Sequence, residues 1–123
     1  MLNLNKKKFR SIVNSTNAEV SIDTVFNYYQ DGRIVWADYS GGSILKGSLI
    51  ATMDDEGNLS MKYHHLNTKF QLMAGQCRST PEILSDGRIR FYEKWKWTSG
   101  DFSTGESIVE ELKGISRKSS SGN

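Results

Sequence analysis

From residue 88 to residue 97 the polarity of the chain alternates at every step. Ile89, Phe91, Glu93, Trp95 and Trp97 fall on one side, and Arg88, Arg90, Tyr92, Lys94 and Lys96 on the other. A period of two is the mark of a strand with one buried and one wet face. Similar runs, rich in β-branched and aromatic residues, recur along the chain. Polar turn signals separate them at 14–17, 31–32, 41–42, 54–58, 67–68, 86–87 and 99–100. No window carries a clean helical stripe, and "GESIVEELKG" (105–114) is the one stretch that could be read as helix. The spacing predicts about eight strands, near 7–14, 20–30, 33–40, 43–53, 59–66, 69–84, 88–98 and 102–113. Pro81 is expected to bend or interrupt the sixth. A long meander loses its exposed edges by closing on itself. The fold class is therefore all-β: a single up-and-down antiparallel meander closing into a barrel. About eight strands leave an interior just wide enough for side chains or one small ligand.

The turns carry one face along the chain, because loop length decides which residues lie opposite each other. Starting from Ile89, Phe91, Glu93, Trp95 and Trp97 inside, this propagation places Leu72, Ala74, Gln76 and Arg78 inside the sixth strand. In the fifth it places Met61, Tyr63 and His65 inside, and in the fourth Leu45, Gly47, Leu49 and Ala51. In the third it selects Ile34, Trp36 and Asp38, with Trp36 opposite Gly47, and in the second Val25, Asn27 and Tyr29. In the eighth it selects Phe102, Ile108, Glu110 and Leu112. A single bulge reverses every face beyond it.

This interior is a good core except for its polar members. Each unsatisfied polar group costs ~1–3 kcal/mol, so these form a network or line a wet pocket at one mouth. Apolar walls with a few convergent polar groups describe a small-ligand site. The candidate ligand contacts are Asn27, Tyr29 and Asp38, then Tyr63, His65 and Gln76, then Arg78 and Glu93. Trp36 and Trp95 are candidates for stacking on the ligand. Glu93 is expected to pair with Arg78. The plainer readings are a structural ion pair, a satisfied buried histidine and ordinary aromatic packing. No catalytic residue is nominated.

Composition narrows the function classes. A chain of 123 residues fits one domain. The barrel is expected over 7–113, with a flexible N-terminus at 1–6 and a disordered Gly/Ser-rich tail at 114–123. Net charge is +2, too small to demand an anionic partner. Cys77 is the single cysteine, so no internal disulfide exists, and it is expected to face outward as an inert thiol. With no signal-like apolar run and no segment of ~20 apolar residues, the expectation is a cytoplasmic protein without a membrane partner, as a monomer or a homodimer. His64 and His65 point to opposite faces of a strand, so no metal site is expected, and no cofactor is implied. Lys6, Lys7, Lys8 and Arg10, with Arg88, Arg90, Lys94 and Lys96, form the basic feature. Only Tyr92 shares the face of the later four, so a solvated face explains them better than a nucleic-acid groove. "YSGGSILKG" lacks phosphate-loop spacing and reads as a hairpin turn.

Two longer runs carry a family resemblance: "YSGGSILKGSLIATMDDEGNLSMKYHHLN" and "STPEILSDGRIRFYEKWKWTSGDFSTGES". Over roughly residues 9–112 the chain resembles a family of small bacterial β-barrel proteins that often carry the name N-acetylglutamate synthase and look like a minimal avidin- or lipocalin-type barrel. The resemblance implies such a barrel, and its name implies acetyl transfer from acetyl-CoA to glutamate. The chain carries no R/Q-x-x-G-x-G/A loop of the usual acetyl-CoA enzymes. The expected function is accordingly a non-enzymatic small-molecule-binding barrel with its pocket at one mouth. Acetyl transfer and a basic-faced nucleic-acid-binding barrel are the alternatives.

Overall fold

The computed structural model describes residues 1–113. Eight antiparallel strands follow in order: β1 (Lys7–Asn14), β2 (Val25–Asp31), β3 (Ile34–Gly41), β4 (Ile44–Met53), β5 (Leu59–Asn67), β6 (Leu72–Ile83), β7 (Ile89–Trp97) and β8 (Thr104–Glu111). Each pairs with its neighbours in sequence, and β1 pairs with β8, so the sheet closes. The stretch that could be read as helix is β8 as far as Glu111. Pro81 does not interrupt β6; it sits opposite Phe91. The last β5 partner of β6 is Leu59, opposite Ser79. Pro81 therefore has a strand on one side only, the edge-like setting in which a missing N–H is tolerated. β2 begins at Val25 rather than 20, because the preceding residues leave the sheet and fold over one mouth.

The two ends of the barrel are closed differently. Residues 1–6, expected to be flexible, bring Leu4 into full burial and Leu2 against the core. The Leu4 amide donates to the Gln30 side chain at 2.8 Å, and the Lys6 amide to the Tyr28 carbonyl at 2.8 Å. Phe9, Met53, Leu59 and Phe91 are buried with them, each such side chain stabilising the fold by roughly 1.5–3 kcal/mol. The tail expected to be disordered, 114–123, lies outside the described residues.

The facing of the strands follows the sequence pattern in β7, β5 and most of β4, and departs from it elsewhere. The departures have three local causes. The β6–β7 turn is a three-residue loop, 85–87, with Leu84 opposite Arg88 and Gly87 at φ 89°. Such a loop ends in a left-handed residue and shifts the pairing by one relative to a two-residue turn. Gln76 and Arg78 therefore face solvent, while Gly75, Cys77 and Ser79 face in; Leu72 is 80% exposed. The β5–β6 turn is also a three-residue loop, 68–70, with Phe70 in the left-handed position. This second shift cancels the first, so Met61, Tyr63 and His65 face in as expected. Next, β4 carries a bulge at Leu45, which adds a residue against both neighbours. It exposes Leu45 and reverses β3 and β2. Ile34, Trp36, Asp38, Asn27 and Tyr29 accordingly lie outside, and Val35, Ala37, Tyr39, Phe26 and Tyr28 inside. Finally, the β7–β8 turn is longer than two residues, with Lys96 opposite Thr104. Ser107 and Val109 face in, whereas Ile108 and Glu110 face out, and Phe102 is exposed in the loop.

Three inward strand glycines lie directly opposite aromatic rings. Gly47 faces Tyr39, Gly75 faces Tyr63 and Gly105 faces Trp95. A methyl group added at these glycines would come within 2.4, 2.3 and 2.4 Å of the respective ring or its hydroxyl. The rings thus lie flat across the glycines of the next strand, so large aromatics fit a narrow interior. Gly105→Ala is expected to lower stability by about 1–3 kcal/mol, the cost of forcing extra volume into a packed core. Urea denaturation checks this, and an unchanged midpoint would show that Trp95 can move aside freely.

Candidate functional site

The interior holds two kinds of polar group, and the difference between them locates the site. The first kind is fully employed. Ser11 and Ser107 both donate to the Asn14 side-chain oxygen, at 2.6 and 2.9 Å, and the Trp95 indole N–H donates to Ser107 at 3.0 Å. At the open end the Tyr39 hydroxyl lies 2.9 Å from His65 Nδ1, and His65 Nε2 lies 2.7 Å from Glu19. A carboxylate only accepts, so the imidazole proton sits on Nε2, and Nδ1 accepts from Tyr39. Burial lowers the His65 pKa, opposed by the Glu19 hydrogen bond, which keeps this ring neutral near pH 7. Asn67 also donates to Glu19, at 3.2 Å. Glu19 reaches the site from the 15–24 segment, whose Ala18 and Val20 pack on the core. Trp97 pins the same segment through its indole N–H to the Asn17 carbonyl at 3.2 Å.

The second kind is underused. Between these networks lies a cavity of about 50 Å³, walled by Tyr28, Tyr63, Met61, Trp95 and Trp97 and carrying Glu93 and Cys77 in its lining. Glu93 receives one side-chain hydrogen bond, from Ser79 directly opposite it on β6, at 2.8 Å. Burial pushes its carboxyl up to about 7, and the Ser79 bond offsets this in part. Tyr28 is 1% exposed, and its hydroxyl has no hydrogen-bond partner among the described residues. Burial also raises the Tyr28, Tyr39 and Tyr63 phenols and the Cys77 thiol well above their ordinary values. Cys77, expected on the outer face, is inside through the shift at 85–87, and its raised pKa leaves it a poor nucleophile.

The structure brings four of the ten expected contacts together here: Tyr63, His65, Glu93 and Trp95. The other six lie on the outer surface. The β4 bulge turned Trp36 and Asp38 out, and with them Asn27 and Tyr29. Tyr29 stacks on Trp36 at 5.9 Å, and Asn27 donates to Asp38 at 2.9 Å. Gln76 and Arg78 were turned out by the β6–β7 loop. Arg78 therefore makes no pair with Glu93; it reaches Asp54 at 3.7 Å and Ser60 at 3.2 Å. The one-residue shift exchanges a guanidinium for a hydroxyl as the partner of Glu93. The lining residues absent from the sequence reading include Phe26, Tyr28, Tyr39, Cys77 and Ser107, whose facing was reversed, and Glu19, which comes from a loop without periodicity. The neighbouring "YY" at 28–29 was a usable signal, since either facing puts one tyrosine inside.

No group of three or more His, Cys, Asp or Glu is placed to hold a metal ion among the described residues. A closed eight-stranded meander, with its core at one end and a small cavity under a loop at the other, defines the class of small up-and-down β-barrels. A family model for avidin-like proteins matches residues 2–112, and the chain belongs to that family. No curated protein and no solved structure matches the chain.

Glu93 makes stability depend on pH. Between its ordinary value of 4.5 and about 7, the folded state holds a proton that the unfolded chain has lost. The native state binds more protons across that window, so stability falls as pH rises through it. The shift corresponds to roughly 3 kcal/mol. Glu93→Gln, neutral at all pH, is expected to match the wild type near about pH 4.5 and to exceed its stability above about pH 7.5. His65 is common to both proteins and cancels in the difference. Urea denaturation at the two pH values measures it; a gap independent of pH would mean that Glu93 titrates normally.

Proposed function

We propose that the protein is a non-enzymatic binder of one small molecule, held inside the barrel beneath the 15–24 segment. One observation carries this reading. Tyr28, whose buried hydroxyl has no hydrogen-bond partner among the described residues, and Glu93, which there receives a single side-chain donor, line a cavity that apolar packing would otherwise fill. Leaving such groups unpaired costs ~1–3 kcal/mol each, a cost a ligand or water can relieve. Membership of the avidin-like family fits a barrel that binds a small molecule in its interior. Acetyl transfer from acetyl-CoA to glutamate has less support. Both reactants are anions, and among the described residues the cavity is lined by Glu19 and Glu93 without a lysine or arginine. Its volume, about 50 Å³, is also far below the ~300–1,000 Å³ of pockets that hold drug-sized molecules.

A thermal-shift screen of molecules with a handful of heavy atoms, cationic, neutral and anionic, tests the reading. A true ligand at a hundred times its Kd is expected to stabilise the fold by about 2.7 kcal/mol. It should also move the Trp95 and Trp97 indole proton resonances. A ligand that stabilises the protein while leaving both indoles unmoved binds elsewhere and would sink the interior site. Incubation with acetyl-CoA and glutamate is expected to release no free CoA.

A further inference from the structure

The lining of the cavity selects among ligands. Two carboxylates line it, Glu93 in the β7 wall and Glu19 at the mouth, and among the described residues no lysine or arginine lines it. His65 adds no positive charge, since burial keeps it neutral and both its nitrogens are engaged by Tyr39 and Glu19. An anionic ligand would meet two carboxylates and no counter-charge at low local dielectric. A cation finds the reverse. Among the described residues no donor reaches the second Glu93 oxygen or the Tyr28 hydroxyl, and the rings of Tyr63, Trp95 and Trp97 supply electron-rich faces. The size sets an upper limit: about 50 Å³ is room for roughly three or four water positions, enough for a compact ionic head and not for a flat polycyclic ligand.

We infer that the occupant of the cavity is a small organic cation with N–H donors, of guanidinium or alkylammonium type. Its charge sits on the Glu93 carboxylate and its apolar faces lie against the aromatic walls. This rests on the interior-ligand reading above and names the chemical class that reading left open. Ser79 already donates to one Glu93 oxygen, which leaves the other for a ligand. Bringing a cation to Glu93 displaces its proton, so binding tightens as pH rises through 7. The groups that face Glu93 from other strands do not compete in that range. Tyr28 on β2, Tyr39 on β3, Tyr63 on β5 and Cys77 on β6 are all held protonated by burial. His65 on β5 is already neutral, and the Glu19 carboxylate at the mouth adds attraction for a cation.

The experiment uses guanidinium chloride, its neutral isostere urea, and acetate, all at millimolar concentrations where denaturation is negligible. Binding is followed by calorimetry and by the Trp95 indole proton resonance. Guanidinium is expected to bind saturably and about tenfold more tightly at about pH 8 than at about pH 6, the ratio of ionised Glu93 at the two pH values for a pKa near 7. In Glu93→Gln guanidinium binding should be lost while weak urea binding survives. Acetate should not bind at either pH. Equal binding of urea and guanidinium, or guanidinium binding that Glu93→Gln leaves unchanged, would overturn the cation assignment and leave the interior site standing. Saturable binding by none of the three would overturn both.

Discussion

The narrow bore of an eight-stranded barrel is the constraint on which the rest of this molecule depends. Tyr39, Tyr63 and Trp95 all point into it, and there is room for them because each lies across a glycine of the following strand, Gly47, Gly75 and Gly105. The ring comes from β3, β5 and β7, and the glycine from β4, β6 and β8, so the device repeats at every second hairpin and involves six of the eight strands. Laid flat, the rings pack against each other rather than filling the centre. Tyr39 stacks on Phe26 at 4.8 Å, and Trp97 meets Trp95 at 5.6 Å and Tyr63 at 5.8 Å. Where the rings fold back against the wall, space remains at the centre, and that space is the cavity. The lower half has no such glycines opposite its rings. There Phe9, Phe91, Met53 and Leu59 meet across the axis and Leu4 closes the end.

The architecture could be read from the sequence, and the lining could not, because the two rest on different information. Strand number and closure follow from polarity period and turn spacing, which survive an error of one residue. Facing does not survive it. The loops at 68–70 and 85–87 both end in a left-handed residue, Phe70 and Gly87, and both shift the pairing by one. Gly87 invited such a loop, whereas a phenylalanine in that conformation gave no signal. The β4 bulge at Leu45 is silent in the same way. In β3 the alternatives "I-W-D" and "V-A-Y" are both plausible interiors, so hydrophobicity alone could not correct the facing. The glycines could have. Gly47, Gly75 and Gly105 mark inward positions on three strands, and each asks for a ring on the preceding one. Tyr39, Tyr63 and Trp95 answer that request, and Trp36 does so only if the bulge is ignored.

The two interior carboxylates show how partner supply divides structure from chemistry. Glu19 holds His65 and Asn67 and retains access to water, so its charge is shared and the loop it belongs to is fastened. Glu93 has one neutral donor and a wall of aromatics, so its charge is expensive and its proton is retained to about pH 7. A fully structural carboxylate in this position would be expected to bring a cation of its own, as Glu110 does with Arg88 and Arg90 at 2.8 and 2.6 Å on the outer face. The same barrel therefore contains the paired and the unpaired solution. The unpaired one costs stability, and it sits in the cavity.

The 15–24 segment lies over that cavity, held by polar contacts on both sides. The Glu19 bonds to His65 and Asn67 hold it on one side. The Asn17 bonds to Trp97, Ser103 and Thr104 hold it on the other. Hydrogen bonds of this kind are worth about 1 kcal/mol each net of water, and the apolar burial of Ala18 and Val20 adds little. Segments with few apolar contacts occupy the low end of a protein's range of local stabilities. The strands beneath are fixed by the ring-and-glycine pairs and open only with the whole fold. For the interior ligand proposed above, this loop is the part of the cover that can lift without disturbing the wall. Because His65 links Glu19 to Tyr39, a lifted loop also frees His65 Nε2 and alters the donor set at the mouth.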